Sequence, residues 1–402
     1  MNGAALAPLP HPAAESAAPE GLRIRILDAA PETFDLWRRF EAEACGLPFQ
    51  CASWSAAILE TLGRDAPVRP AIALVTDGAG APLMLVPLLV RRAHGLRVLE
   101  FIDFGLADYN APLIRADFAR HLADGGFPPL WRRIVDSIVE AAGPVDAVTV
   151  DKIPAAVGPV PNPFMQLAPR HDGDSFQVVR DGSFADYLKT RSPSLVSNSK
   201  VKRRRLERLG HVELRVARTA AEIERTVATV IEQKSRRYEA TGRADLMRQE
   251  ARRRFYETIA RREADGGLVH LSALCLDGGI VAAHLGLAFR GCFYWVVPTF
   301  DDRLARCSPG RLLMLDLMEW AFAAGFDTFD FTCGNDPYKH DWANRISPLH
   351  TLREGLTPAG RLTLVGLGLA GQAKAALRTH CPPVFAALRS LKHRTPLKHR
   401  MP

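Results

Sequence analysis

The residues of this chain that could do chemistry gather between Cys292 and Trp342. Ser308, Gly310, Arg303, Arg306 and Arg311 surround the start of a segment, Leu312–Phe322, whose charges Asp316 and Glu319 share one helical face. A helix start offers unpaired N–H groups and the positive end of the peptide dipole, and a glycine there leaves room for a ligand. The pattern suits a pyrophosphate. It suits as well an ordinary strand–loop–helix connection with solvated arginines, because the Walker and dinucleotide fingerprints are both absent. Further along, Asp330 interrupts the apolar pair Phe329 and Phe331, where a carboxylate is costly to bury unless it is partnered. His284, inside the run Ile280–Phe289, is of a type that titrates near neutrality. The ordinary alternatives are an ion pair of Asp330 with Lys339 or Arg311 and a hydrogen-bonded core histidine.

The elements that must position these residues follow from periodicity. Cys292–Val297, closed by Pro298, reads as a strand; Pro298–Gly310 reads as a loop. Leu312–Phe322 reads as a helix buried on most sides and ended by Gly325, and Thr328–Thr332 as a second, parallel strand. Two helices, Ala220–Tyr238 and Gln249–Glu263, and the strands Leu268–Leu276 and Ile280–Phe289 lead into this unit. The first half has the same grammar: helices Glu32–Ala44 and Ser53–Leu62 (with Ser53 as N-cap), strands Ala71–Thr76, Leu83–Val90 and Arg97–Ile102, a loop Asp103–Asn110, a helix Trp131–Ala142 and a strand Asp146–Val150. Two like-folded α/β (α+β) domains are predicted.

Composition narrows the class. With 402 residues, 47 % apolar and 24 % charged, two domains are expected. The formal net charge of +8 is carried by the end of the chain: no Asp or Glu follows Glu354, whereas eight Lys and Arg do. That distribution gives little support to a protein-wide nucleic-acid role. A second basic run, Lys189–Arg208, could grip phosphate, anionic lipid or, less readily because no aromatic residue is interleaved for stacking, RNA, or could be a solvated helix packed through Leu195, Val201, Leu206 and Leu209. The seven Cys form no CxxC pair, which points to free thiols in a reducing, cytoplasmic compartment and away from a metal site. Residues 1–20 lack a basic start and are expected to be disordered. The longest apolar stretch, Leu362–Gly371, is too short to span a membrane.

The chain resembles the CelD-type acetyltransferases of the GNAT superfamily, associated with cellulose and exopolysaccharide synthesis. In the second half the likeness is carried by Ala282-Ala283-His284-Leu285-Gly286-Leu287, by Ser308-Pro309-Gly310-Arg311-Leu312-Leu313, and by Phe329-Asp330-Phe331 with Gly334, Tyr338-Lys339 and Trp342. In the first half it is carried by Pro48-Phe49 with Trp54, Val86-Pro87-Leu88 and Asp108-Tyr109, and between the halves by Arg191-Ser192 through Arg203-Arg204-Arg205-Leu206-Glu207. The likeness spans roughly residues 22–355. Where a GNAT pyrophosphate loop reads Arg/Gln-x-x-Gly-x-Gly/Ala, this chain keeps Arg303 and Gly310 but has Ser308-Pro309 beside them. The related Fem-type transferases also have two such domains and take aminoacyl-tRNA.

The resemblance implies two tandem GNAT-like domains, each a mixed sheet flanked by helices. They are expected at residues 21–165 and 211–358, with a basic linker at 166–210 and a basic tail at 359–402. It implies an acyl-CoA-dependent N- or O-acyltransferase, acetyl-CoA or another acyl-CoA being the donor, without a metal. The acceptor is expected to be a sugar, a polysaccharide precursor or another small amine or alcohol. The alternatives are a Fem-like aminoacyl-tRNA-dependent transferase and a non-catalytic partner of polysaccharide synthesis. Within it, Asp330 or His284 would take the acceptor's proton and Tyr338 would protonate the leaving thiolate. Arg303, Ser308, Gly310 and Arg311 would meet the pyrophosphate, with the pantetheine along Phe293–Val297, Val296 included. Asp108, Tyr109 and Lys339 would line the acceptor cleft. The ordinary readings are an aromatic lid for Tyr338 and a loop cap for Asp108-Tyr109, and no Cys-His-Asp order supports Cys333 as a nucleophile. The basic tail is expected to touch a membrane surface through Leu362–Leu377 and Val384–Leu391, or to remain solvated.

Overall fold

The computed structural model describes residues 21–380 except His94 and Asp265, with side chains to position 370. The expectations for residues 1–20 and for Val384–Leu391 lie outside the described residues.

The first half opens with β1 (Arg23–Leu27), α1 (Pro31–Glu43) and α2 (Ala52–Thr61). Helix α2 starts one residue before Ser53, with Cys51 at the cap and no side-chain cap bond, so Ser53 is not the N-cap. Strands β2 (Val68–Pro70) and β3 (Ile72–Thr76) are one extended stretch divided at Ala71. The return, β4 (Pro82–Val86) and β5 (Leu88–Ala93), is divided at Pro87, which has no N–H to give a ladder. The three strands expected at Ala71–Thr76, Leu83–Val90 and Arg97–Ile102 are therefore shared between two sheets. One is β1-β3-β4 ending on β7 (Leu113–Ile114); in the other, β2 and β5 continue to β6 (Leu96–Phe101) and β8 (Ala147–Pro154). Helix α3 (Phe127–Ala142) covers this half, and β9 (Ala156–Val157) with β10 (Val160–Pro161) forms a small hairpin.

The second half contributes β11 (Arg170–Val179), α4 (Phe184–Lys189), α5 (Pro193–Glu207), β12 (Val212–Val216), α6 (Ala220–Ala240) and α7 (Glu250–Glu263). It continues with β13 (Val269–Leu276), β14 (Gly279–Phe289), β15 (Cys292–Phe300), α8 (Pro309–Ala323), β16 (Thr328–Cys333), α9 (Pro337–Trp342), β17 (Arg345–Gly355) and α10 (Pro358–His380). Strand β15 runs on through Pro298 instead of stopping before it. Gly325, at φ +85°, lies just past the α8 cap residue Ala324, where a left-handed residue is favoured.

One sheet joins the halves. Its order is β12-β13-β14-β15-β16-β11-β17-β8-β6-β5-β2, eleven strands. Strand β11, drawn from the stretch read as a basic linker, lies between β16 and β17, and β17 pairs with both β11 and β8. In each half a parallel pair begins together and then separates. β15 and β16 pair only over Cys292–Tyr294 and Thr328–Asp330, and β6 and β8 only over Val98–Leu99 and Ala147–Val148. A shared core crosses the interface, with Trp54 edge-on to Phe255 at 4.9 Å and Phe49 edge-on to Tyr294 at 6.0 Å. Buried aromatics of this size dominate such an interface. In the basic helix α5, Leu206 is fully buried, while Val201 is 51 % exposed and Leu209, just past the helix end, 55 % exposed, so the expected four-residue packing face is only partly formed. No helix among the described residues is long and apolar enough to cross a membrane.

Candidate active site at the fork between the halves

Asp330 is the last β16 residue paired to β15 before the two strands part. It is 2 % exposed and has partners from three segments. The Tyr109 hydroxyl, from the first half, donates to Oδ1 at 2.8 Å; Gln177 of β11 donates to Oδ2 at 2.9 Å; the Thr332 N–H donates to Oδ1 at 2.7 Å. None of the ion pairs among the described residues involves it, so the expected pairing with Lys339 or Arg311 is not what holds it. Burial pushes its carboxyl up to about 6, against the downward pull of the Gln177, Tyr109 and Thr332 bonds and with Asp108 adding to the rise. Thr332 sits at φ +63°, a genuine outlier for a β-branched residue, costing roughly 1–3 kcal/mol. That turn aims its N–H at the carboxylate.

Around this group the first half supplies a fixed wall. The Tyr109 ring lies 5.9 Å from Phe49 and 6.4 Å from Tyr294, and burial raises its hydroxyl pKa, so it stays a donor. Gln50 Nε2 donates to Tyr109 O at 2.7 Å, and Asn110 Nδ2 donates to Asp103 Oδ2 at 3.2 Å and to Asp151 O at 3.0 Å. Asp108 accepts from the Cys333 thiol at 3.2 Å, and burial pushes that thiol up to about 12, which makes it inert as a nucleophile. Lys339, 4 % exposed, donates to Cys333 O at 2.6 Å, and burial lowers its pKa. It thus clamps the carbonyls at the end of β16. Lys234 on α6 is likewise lowered by burial, with Asp336 and Asp108 opposing. The structure therefore brings Asp330, Tyr109, Asp108 and Lys339 together, and adds Gln177, Cys333 and Lys234. Gln177 was legible as a lone polar residue in the run Phe176–Val179; the linker reading hid it.

His284 lies elsewhere in the layer. Its ring is stacked on Trp295 at 4.1 Å, its Nε2 accepts the Val296 N–H at 3.1 Å, and it has no exposed surface. With Nε2 accepting, the proton sits on Nδ1, which has no partner among the described residues. Burial lowers its pKa well below the usual imidazole value. The ring fills the space beside Gly286, where a Cβ would strike Cε1 and come within 2.8 Å of Tyr294 O. β15 carries an extra residue against β14 at this point, between Tyr294 and Val297, and His284 ties down the bulged N–H. Val296 thus gives its N–H to His284. Tyr338 stands 6.0 Å edge-on from Phe331, its hydroxyl raised by burial.

At the start of α8, Ser308 is left-handed at φ +50° and its N–H donates to Ala305 O at 3.0 Å. Pro309 has no N–H, and the Arg311 and Leu312 N–H groups donate to Ser308 O at 3.0 and 3.2 Å. The Gly310 N–H and the Arg311 side chain have no partner among the described residues. A Cβ at Gly310 would meet Phe300 Cδ1 at 3.1 Å, so the missing side chain serves a close packing contact rather than an open approach. Arg303, 81 % exposed at its side chain, is held by Asp301 at 2.6 Å. A cavity of about 290 Å³ lies between α4, α5 and α8, with Arg203 of its lining paired to Asp316. These residues can hold one anion at Gly310 and Arg311, a thinner cradle than a run of free N–H groups. No group of His, Cys, Asp or Glu among the described residues could hold a metal ion.

Residues 194–340 match the family described as acetyltransferase (GNAT) domain. No curated protein sequence matches the chain. Among solved structures, FemX superposes with a TM-score of 0.57 at 12 % identity, covering 83 % of this chain and 97 % of FemX. A protein of unknown function from Bacteroides thetaiotaomicron gives 0.52 at 13 % identity, with 83 % and 100 % covered. L-PGS from Bacillus licheniformis gives 0.50 at 12 % identity, with 86 % and 98 % covered. At such identity the likeness is one of fold. Residues 194–340 thus match a GNAT domain, and over the 83–86 % of the chain covered the mixed α/β fold is shared with these structures.

Proposed function

We propose that the protein transfers an acyl group to an amine or hydroxyl acceptor bound between the halves, with Asp330 as the proton acceptor. The observation that carries this is the carboxyl of Asp330, held at about 6 at the point where β15 and β16 part, by donors from both halves. A base tuned near the working pH is mostly ionised yet still accepts a proton usefully. In the transfer, the acceptor nitrogen or oxygen attacks the acyl carbonyl and gives its proton to Asp330. The bond from carbonyl carbon to the donor's leaving atom breaks, and the leaving atom is protonated from solvent, with the Tyr338 hydroxyl, kept protonated by burial, as a hydrogen-bond donor to it. His284 has no proton role here, because its accepting nitrogen is occupied; it positions Val296.

The donor read most directly from the GNAT domain is acyl-CoA, its phosphates at Gly310 and Arg311. The CelD-type resemblance supports a saccharide or other small amine or alcohol as acceptor. The thin anion cradle at α8 favours a second donor class, a Fem-like aminoacyl ester, and the cationic face of α5 supports it. Calorimetry with acetyl-CoA, a longer acyl-CoA and aminoacyl-tRNA, followed by transfer assays on the binder, tests the reading. One donor should bind both the wild type and Asp330→Asn, with transfer lost in the variant. Full turnover by Asp330→Asn removes Asp330 from the chemistry; silence with every donor indicates a non-catalytic protein.

A further inference from the structure

Helix α10 leaves the body after β17 and carries a face that nothing in the chain covers. Leu362 is 75 % exposed, Val365 60 % and Leu369 61 %, at helical spacings of three and four, and Leu367, on another side of the helix, is 43 % exposed. Four of the eight large exposed apolar residues of the described chain fall in this one stretch of helix. Gly366 and Gly368 meet no neighbouring atom, so the surface there is open as well. The inner side of α10 is anchored: Thr357 Oγ1 donates to Asp146 Oδ1 at 2.9 Å, Arg361 Nε donates to Gly355 O at 3.0 Å, and Leu364 is half-buried. The face is thus fixed to the body instead of hanging from a free segment. A contiguous exposed apolar face of this kind marks an interaction site.

Charge selects the occupant. From Gly355 onward the sequence contains no Asp or Glu, and the whole net charge of +8 falls there, with Arg361, Lys374 and Arg378 inside α10 itself. We propose that α10 lies on an anionic lipid bilayer, its Leu362–Val365–Leu369 face entering the acyl boundary and the positive charge of this acid-free stretch drawing it to the headgroups. An apolar face with flanking cations and no acid is what an interfacial helix needs, and each Lys or Arg near an anionic surface strengthens binding roughly fivefold. A second copy of the chain would meet the same like charge and is disfavoured. The enzyme would then act at a membrane surface while its fork stays in water.

The test is flotation of the full chain with phosphatidylcholine vesicles and with vesicles containing phosphatidylglycerol. The wild type should rise with the anionic vesicles, partition at least about tenfold less onto the neutral ones, and be released by high salt. Leu362→Glu/Val365→Glu/Leu369→Glu should bind at least about tenfold more weakly. These side chains are exposed, so an unchanged melting curve is expected. Lys374→Gln/Arg378→Gln gives an independent reading and should weaken anionic binding without touching the apolar face. Failure of the wild type to float, or equal flotation of the Glu variant, overturns the proposal. A wild-type dimer in sedimentation that the Glu variant abolishes overturns it in favour of self-association.

Discussion

The two forks of the joined sheet begin alike and end differently. In the first half, β6 and β8 part and the gap is closed from within: Lys152, itself left-handed at φ +58°, gives its ammonium to Asp103 at 3.1 Å and to Ala107 O. The polar groups there satisfy one another, and the residue of β8 that packs beside the gap, Val150, is apolar. In the second half the last paired residue at the fork is Asp330, and its partners come from Tyr109, Gln177 and Thr332, two of them far away in sequence. A carboxylate closed off by its own lysine is an element of structure. One poised by neutral donors, with its pKa raised by burial, can exchange a proton. On the proposed function, the first half thus supplies a wall and the second the proton acceptor. The same contrast holds at the loops, acidic Asp103 and Asp108 against Arg303, Arg306 and Arg311, so one donor per chain is expected.

The largest test of this asymmetry is Asp330→Asn. Transfer should fall by about 10²–10⁴-fold, the usual contribution of a positioned base. Lys152→Gln, its counterpart in the first fork, should cost stability and leave the proton step, read as the pH profile of kcat/KM, unmoved. Equal loss of kcat in both variants would erase the distinction between the forks.

Much of this architecture was legible. The strand–loop–helix–strand unit around α8 follows from Phe329 and Phe331 flanking Asp330, from the apolar run of α8 and from Gly325, all short-range signals. The doubled grammar of the halves is also written locally. What was not legible is long-range pairing. Strand β11 inserts between β16 and β17, and nothing in its residues names those partners; read beside a basic run, it passes for linker. The donors to Asp330 were hidden for the same reason, since Tyr109 and Gln177 reach it across 221 and 153 positions. For His284, residue type suggested a base, and only packing against Trp295 and the Val296 N–H shows otherwise.

A second test uses pH and stability. The Asp330 carboxyl is raised from 3.8 to about 6 in the folded chain. A carboxyl raised on folding favours the protonated form, so its contribution is fully present below about pH 4 and is lost as pH rises to about 6. The loss is about 3 kcal/mol by the usual conversion. Urea melts of wild type and Asp330→Asn between pH 4 and 7 should converge at low pH and separate in favour of Asn toward neutrality. A difference independent of pH would mean that the carboxyl titrates normally.

A third test concerns the donor end. Arg311→Ala should weaken binding of an anionic donor by about a decade, one charge-assisted contact. Gly310→Glu should weaken it further, but its Cβ also presses on Phe300, so its melting temperature must be read alongside. Calorimetry on Arg311→Ala gives the cleaner answer, and two donors bound per wild-type chain would return the first fork to consideration.

The smallest effect is the most specific to the contact between the halves. Tyr109→Phe removes one donor from Asp330 Oδ1 and leaves the ring in place against Phe49 and Tyr294. The Thr332 N–H still reaches the same oxygen, so the fold should survive with a loss of about 1 kcal/mol. The Tyr109 bond lowers the Asp330 pKa against burial, so its removal must raise that pKa. If Asp330 is the base, the acid limb of kcat/KM moves to higher pH in Tyr109→Phe, while the rate at high pH, where the carboxyl is ionised in both proteins, changes little. A merely structural tyrosine would lower the rate equally at every pH. A limb that stays in place while stability falls would reduce Tyr109 to packing, and the donors that set the Asp330 carboxyl would then both lie in the second half, Gln177 and the Thr332 N–H.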